Sequence, residues 1–201
     1  MQVLSAMLVF CFISCNSLTR HQVSYWEKQK DNFRYQNKSE FVSDSTLQAD
    51  YKTFKTSRHS LFGNSLFGNF FSNKFFSSKV FLYSWQDRDS SKNEFTIIKD
   101  DGEGLKVIYF ILDKKDSLLS STQIAGKGNE GGYWFETRSR FMSKDTILNI
   151  GAVTQWYDFG AERSMAKTKG DSIFSYLVIG DRGKVTEKVF KEVKDLNFKN
   201  E

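Results

Sequence analysis

From residue 79 onward, short apolar runs alternate with short polar turns. The runs cover residues 80–85, 94–99, 105–112, 118–125, 133–142, 147–159 and 173–179. Turns rich in Asp and Gly separate several of them, as in the sequences DDGEG and GDRG. A parallel sheet would need crossover connections of about a dozen residues or more, and most of these gaps are shorter. The pattern therefore predicts a mainly β fold, in which an antiparallel meander forms a strongly curved or barrel-like sheet.

Two of these runs carry more specific information. The run 105–112 (LKVIYFIL) is almost continuously apolar, which is typical of a central strand that is covered on both faces. The run 133–142 (YWFETRSRFM) alternates instead. Because successive side chains of a strand point to opposite faces, Trp134, Glu136, Arg138 and Arg140 are expected to share one face.

Three other segments have weaker patterns. Residues 126–132 (GKGNEGG) predict a flexible hairpin loop, because glycine permits many backbone conformations. Residues 185–198 fit helical spacing and also fit one face of a strand, so both assignments stay open. Residues 15–40 are polar and charged, with loosely helical spacing around Val23 and Trp26, and predict a tether with one short amphipathic helix. Residues 41–201 are then a single β-rich domain.

The first fifteen residues, MQVLSAMLVFCFISC, indicate where the protein is located. The apolar run from Val3 to Ile13 is far shorter than the roughly 20 residues that span a bilayer, and it suits a secretory signal peptide. Its end, FISC, resembles the lipobox of bacterial lipoproteins, in which a small residue precedes an invariant cysteine. The resemblance implies cleavage after residue 14, a lipid on Cys15, and a membrane-anchored protein on the extracytoplasmic side of the cell envelope. An ordinary cleaved signal and a buried N-terminal strand are the other interpretations of this run.

The composition argues against several classes of function. The net charge is +5, but the lysines are scattered among acids and do not form the basic stripe that nucleic-acid binding needs. The two histidines, His21 and His59, cannot make a three-histidine zinc site, and no HExxH motif occurs. Both cysteines, Cys11 and Cys15, lie within the signal-like segment. We therefore expect no metal, no cofactor, no nucleic-acid partner and no enzymatic activity.

The face that carries Trp134, Glu136, Arg138 and Arg140 is the best candidate for a ligand or for a protein partner in the envelope. Arginines beside an aromatic ring can hold a carboxylate, a phosphate or a sugar through forked donors and stacking. A solvated sheet face with cross-strand ion pairs is the simpler interpretation of the same pattern.

Two alternative functions remain open. The curved sheet could enclose a cavity for a small apolar ligand, lined by Trp134, Trp156 or Tyr157. A glycan hydrolase would instead need two carboxylates facing each other across a cleft. The acids to consider for that role are Asp87, Glu94, Glu136 and Asp158.

A phenylalanine-rich segment, SLFGNSLFGNFFSNKFF, occupies residues 60–76. We expect Phe75 and Phe76 to lead into the first strand of the meander. The apolar residues before them are expected to cover an open end of the sheet; these are Leu61, Phe62, Leu66 and Phe67. An exposed patch that seeks a partner and a membrane contact are the alternatives.

Overall fold

The computed structural model describes residues 24–42, 45–56, 79–100, 102, 104–130, 133–155 and 168–198. Two helices, α1 (Tyr25–Lys28) and α2 (Ser45–Thr56), and a 3-10 turn at Lys30–Asn32 lie before the main run of strands. The strands in these residues are β1 (Tyr35–Gln36), β2 (Glu40–Phe41), β3 (Lys79–Gln86), β4 (Lys92–Asp100), β5 (Gly104–Asp113), β6 (Leu118–Glu130), β7 (Tyr133–Ser143), β8 (Thr146–Gln155), β9 (Thr168–Ile179) and β10 (Val185–Phe198). The phenylalanine-rich segment, the two histidines, Trp156, Tyr157 and Asp158 lie outside the described residues.

The strands form one mostly antiparallel sheet, which confirms the predicted mainly β meander. Strands β3 to β10 follow one another in sequence order, and each is antiparallel to the next. The short β1 adds to β3 in parallel, and β2 pairs with β7. Within the described part of the chain β1 and β10 do not pair with each other, so the sheet is open and the barrel-like alternative does not apply.

The prediction of a loop at residues 126–132 was wrong for most of this range, because residues 126–130 continue β6. These residues pair with β5 on one side and with β7 on the other. Glycine is required by the close approach of the strands. A Cβ on Gly104 would lie 2.3 Å from the carbonyl oxygen of Lys127, and one on Gly126 would lie 2.9 Å from that of Leu105. The glycines therefore let β6 stay within the sheet.

Strand β5 is buried on both faces, as its apolar sequence predicted. One face belongs to the main core, in which Val107 and Tyr109 pack with Leu47 of α2, Phe41 of β2 and Ile147 of β8. The other face belongs to a second cluster, the N-terminal core. Its buried members are Trp26, Phe33, Val80, Leu82, Trp85, Phe95, Ile97, Phe110 and Leu112.

The segment that carries α1 closes the N-terminal core. Trp26 is fully buried, and its ring centre lies 4.5 Å from that of Phe95. Polar contacts fix the same segment, since Asn93 donates from Nδ2 to the Ser24 hydroxyl at 2.6 Å and the Tyr25 N–H donates to Asp116 at 2.6 Å. This packing places residues 24–40 in the folded domain, although the sequence had assigned them to the tether.

Helix α2 is held on the other side of the sheet by tyrosine–aspartate hydrogen bonds. The hydroxyls of Tyr35 and Tyr83 both donate to the carboxylate of Asp50, at 2.8 Å and 3.0 Å. The Tyr51 hydroxyl donates to Asp100 at the end of β4. Burial, and then the nearby carboxylate of Asp100, raise the pKa of Tyr51, so that it remains a neutral donor.

A buried ion pair joins Arg88, in the turn between β3 and β4, to Glu94 near the start of β4. The Glu94 carboxylate accepts hydrogen bonds from Tyr109 Oη at 2.7 Å and from Arg88 Nε at 3.1 Å. The Arg88 guanidinium carbon lies 3.7 Å from the centre of the Phe141 ring. Only 11% of the Arg88 side chain and 2% of the Glu94 side chain are exposed. Burial raises the pKa of the Tyr109 hydroxyl well above its usual value, so it also stays a neutral donor.

We expect Glu94→Ala to lower the free energy of unfolding by about 3–5 kcal/mol, because it leaves the buried Arg88 guanidinium without its partner. Lys30→Ala is the control, since Lys30 pairs with Asp87 at 2.6 Å but both side chains are more than a third exposed. Its cost should stay below about 1 kcal/mol. Urea denaturation followed by tryptophan fluorescence measures both. Equally small losses would show that the buried pair does not stabilise the sheet.

Candidate binding face

The four residues singled out on β7 lie on one exposed side of the sheet. We call the outer face the side of β7–β10 that carries Trp134, Glu136, Arg138 and Arg140. All four are exposed, and Trp134 keeps 40% of its surface accessible. Strand register brings further residues beside them, because Arg138 lies opposite Ile150, and Ile150 lies opposite Phe174.

An apolar stripe runs across the outer face toward β10. It contains Leu148, Ile150, Phe174, Tyr176 and Phe190. Phe190 is the extra residue where the β9–β10 register shifts, and its ring stacks on Tyr176 with centres 4.7 Å apart. Tyr176 and Phe190 remain 39% and 52% exposed. The described residues therefore leave this stripe open to solvent, and a contiguous apolar patch of this kind commonly marks an interaction site.

A groove of about 460 Å³ lies beside the stripe, over β7, β8 and β9. Small residues form its floor, namely Ala152, Thr154 and Ser172. Larger residues rise around them, namely Lys127, Trp134, Glu136, Arg138 and Phe174. The volume falls within the range of about 300–1,000 Å³ that is usual for small-molecule sites.

The outer face carries more positive than negative charge. Register on β10 places Lys188 opposite Tyr176 and Lys191 opposite Phe174, whereas Glu187 and Glu192 pair with residues of the opposite side. Among the described residues the cations of the outer face are Lys127, Arg138, Arg140, Lys188 and Lys191, and its acids are Glu40 and Glu136.

The described residues leave most of this charge without an ion-pair partner. Arg140 pairs with Glu40 at 3.4 Å, in an exposed contact. Lys127 and Arg138 have no ion-pair partner in the part of the chain that the structure describes. Their hydrogen-bond donors are therefore available to a ligand.

Two of the acids considered for hydrolysis have other partners. Glu94 is buried in the ion pair with Arg88. Asp87 accepts hydrogen bonds from Lys30 and from Trp85 Nε1, at 2.6 Å and 2.8 Å. Partial burial of Asp87 acts to raise its pKa, but the two hydrogen bonds and the positive charges of Lys30 and Lys114 together outweigh it and lower the pKa. Glu136 lies on the outer face, and Asp158 is outside the described residues.

Two of the three residues expected to line an enclosed apolar cavity, Trp156 and Tyr157, lie outside the described residues. Trp134 lies on the outer face and does not line an interior. A separate open hollow of about 570 Å³ is lined by Lys106, Gln123, Tyr133, Phe135, Thr137 and Val153. Among the described residues, this hollow most resembles the cavity that a carrier of a small apolar ligand would need.

Comparison with protein-family models, with curated proteins and with solved structures gives no match to this chain. Among the described residues, no three side chains of the types His, Cys, Asp and Glu are grouped closely enough to hold a metal ion. Searched over the same residues, none of the helices is long and apolar enough to cross a membrane.

We expect Trp134→Ala and Arg138→Ala each to change the free energy of unfolding by less than about 0.5 kcal/mol, because both side chains are exposed. Ile147→Ala on β8 is the matched control. Ile147 is fully buried in the main core, and its truncation should cost about 2–5 kcal/mol. Urea denaturation compares the three variants. A loss above about 2 kcal/mol at Trp134 or Arg138 would assign these residues to folding and not to binding.

Proposed function

We propose that this chain is a non-enzymatic lipoprotein of the cell envelope, anchored through Cys15, that binds a ligand or partner on the outer face of β7–β10. The observation that carries the proposal is the combination of exposed aromatic rings and unpaired cations around one groove. Folding does not require such an arrangement, because contacts between exposed rings and exposed cations add only about 1 kcal/mol or less each to the stability of the fold.

The anchor part of the proposal depends on the N-terminal signal and on the chain length that follows it. Ser24 is the first residue that the structure describes, and it packs on the sheet, so Cys15 precedes this attachment point by nine peptide steps. Such a segment spans at most about 30 Å when fully extended. The proposed anchor would therefore keep Ser24, and the domain that it packs on, within about 30 Å of the membrane surface.

A carrier of a small apolar ligand is the second candidate. The hollow that contains Tyr133, Phe135 and Val153 favours it, because these apolar side chains are partly exposed there. Lys106 and Gln123 also line this hollow and would remain polar contacts beside an apolar ligand. The hydrolase alternative is not favoured, because Glu94 is buried in an ion pair with Arg88 and Asp87 is paired with Lys30 at the surface.

Mass spectrometry of the mature N-terminus tests the anchor. We expect the chain to begin at Cys15 and to carry a diacyl or triacyl modification. Cys15→Ala should remove that mass and release the protein from the membrane fraction. Cys11→Ala is the matched control and should leave the acylated mass unchanged. A purified native chain that still begins with Met1 and stays in the soluble cytosolic fraction would refute the anchor.

Photo-crosslinking in whole cells tests the binding face. A benzoylphenylalanine at Tyr176 should give a discrete adduct, because this side chain lies in the open stripe. The same probe at Leu118 is the control, since Leu118 is 40% exposed and Tyr176 is 39% exposed. Absence of an adduct at Tyr176, or equal labelling at both positions, would contradict a role of the outer face in binding.

A further inference from the structure

The exposed rings of the outer face present flat surfaces at two places. Trp134 rises at the side of the groove, and the stacked pair of Tyr176 and Phe190 lies farther along the stripe. The face of an aromatic ring carries partial negative charge. It attracts the weakly positive C–H groups on one side of a sugar ring, and the contact also buries apolar surface. Two such platforms suit a ligand made of several linked rings.

The polar groups of the groove suit a ligand that has both carboxylates and hydroxyls. Arg138 can bind a carboxylate with two parallel N–H donors, and Lys127 adds a point charge. Glu136 lies between them in the groove and would repel a purely anionic ligand. Its carboxylate can instead accept hydrogen bonds from sugar hydroxyls, as can the hydroxyls of Thr154 and Ser172 on the floor.

The shape of the outer face argues against two other classes of ligand, a flat lipid surface and an acidic peptide that binds by strand addition. A flat lipid surface would rest on Trp134 and Phe174 and would not reach the small residues of the floor, whereas a narrow chain fits between them. An acidic peptide that binds by strand addition would need a regular edge. The edge strand β10 is interrupted by register shifts after Val189 and after Val193, and such bulges oppose strand addition.

We infer that the outer face binds an acidic polysaccharide, with sugar rings stacked on Trp134 and the Tyr176–Phe190 pair and a carboxylate held by Arg138. This inference rests on the proposed function of the outer face as a binding site and specifies the chemical class of its ligand.

Isothermal titration of the full chain carrying Cys15→Ala tests the inference without a contribution from acyl chains. The probes are polygalacturonate, neutral dextran of matched length, poly-L-glutamate, and vesicles of phosphatidylglycerol. We expect polygalacturonate to bind at least tenfold more tightly than each of the other three. Trp134→Ala and Arg138→Ala should each weaken that binding at least tenfold. Arg138→Lys should recover only part of the loss, because the forked geometry is absent.

Lys144→Ala is the control for nonspecific attraction. Lys144 is a cation in the β7–β8 turn whose side chain is 72% exposed, and its removal should change the affinity less than twofold. An equal loss in this variant would overturn the inference, because it would mean that net charge alone attracts the polymer.

Three further outcomes would overturn the inference while leaving the proposed function in place. Binding of poly-L-glutamate as tight as that of polygalacturonate would identify an acidic protein segment as the ligand class, and tight binding of the vesicles would identify a lipid surface. Binding of none of the probes, together with the crosslinked adduct at Tyr176, would identify a ligand of another class. If none of the probes binds and the crosslinked adduct at Tyr176 is also absent, both the inference and the proposed binding function of the outer face are contradicted.

Discussion

Strand β5 is apolar on both of its faces, and burying both faces requires two separate covers. One cover is the N-terminal segment, which lays Trp26 and Phe33 over one side of the first strands. The other cover consists of α2, β2 and the buried side chains of β8 and β9. The order of the elements follows from this constraint, because helices that precede the sheet in sequence must pack against opposite sides of it. The buried pair of Arg88 and Glu94 adds specificity at the point where β4, β5 and β7 come together.

Within the described part of the chain the covers end before they reach the far strands, and these residues leave the outer face open. The helices pack on β3, β4 and β5, whereas β7 to β10 contribute only a few residues to the main core. On the uncovered side the chain could have placed polar residues alone, as most solvated sheets do. It instead keeps aromatic rings exposed and places Lys188 and Lys191 there, with Glu187 and Glu192 on the opposite side. The arrangement is expected for a surface that contacts another molecule.

The sequence predicted correctly the features that depend on the pattern within a single strand. Alternation and short turns predicted the meander, and the period of β7 placed Trp134 and Arg138 on one side. Features that depend on register between strands could not be predicted. Phe174, Tyr176 and Lys191 join the face only through pairing with neighbouring strands, and Phe190 joins it through a bulge. The extension of β6 was missed because Gly126 and Gly128 resemble a loop unless the close approach of β5 is known.

The groove on the outer face and the proposed tether are consistent with each other in energetic terms. An open site that holds a chain by two aromatic contacts and one forked ion pair gains little free energy from each contact, and it also loses conformational freedom on binding. The proposed anchor at Cys15 would compensate, because a second contact within the reach of a tether of about 30 Å becomes intramolecular and has a high effective concentration. Weak binding at each site would then be sufficient for stable attachment to the proposed polysaccharide, provided that this polymer is itself fixed in the envelope. The same weak site on a freely diffusing protein would release its ligand quickly, so an exposed face of this kind is most useful on a protein held at a surface.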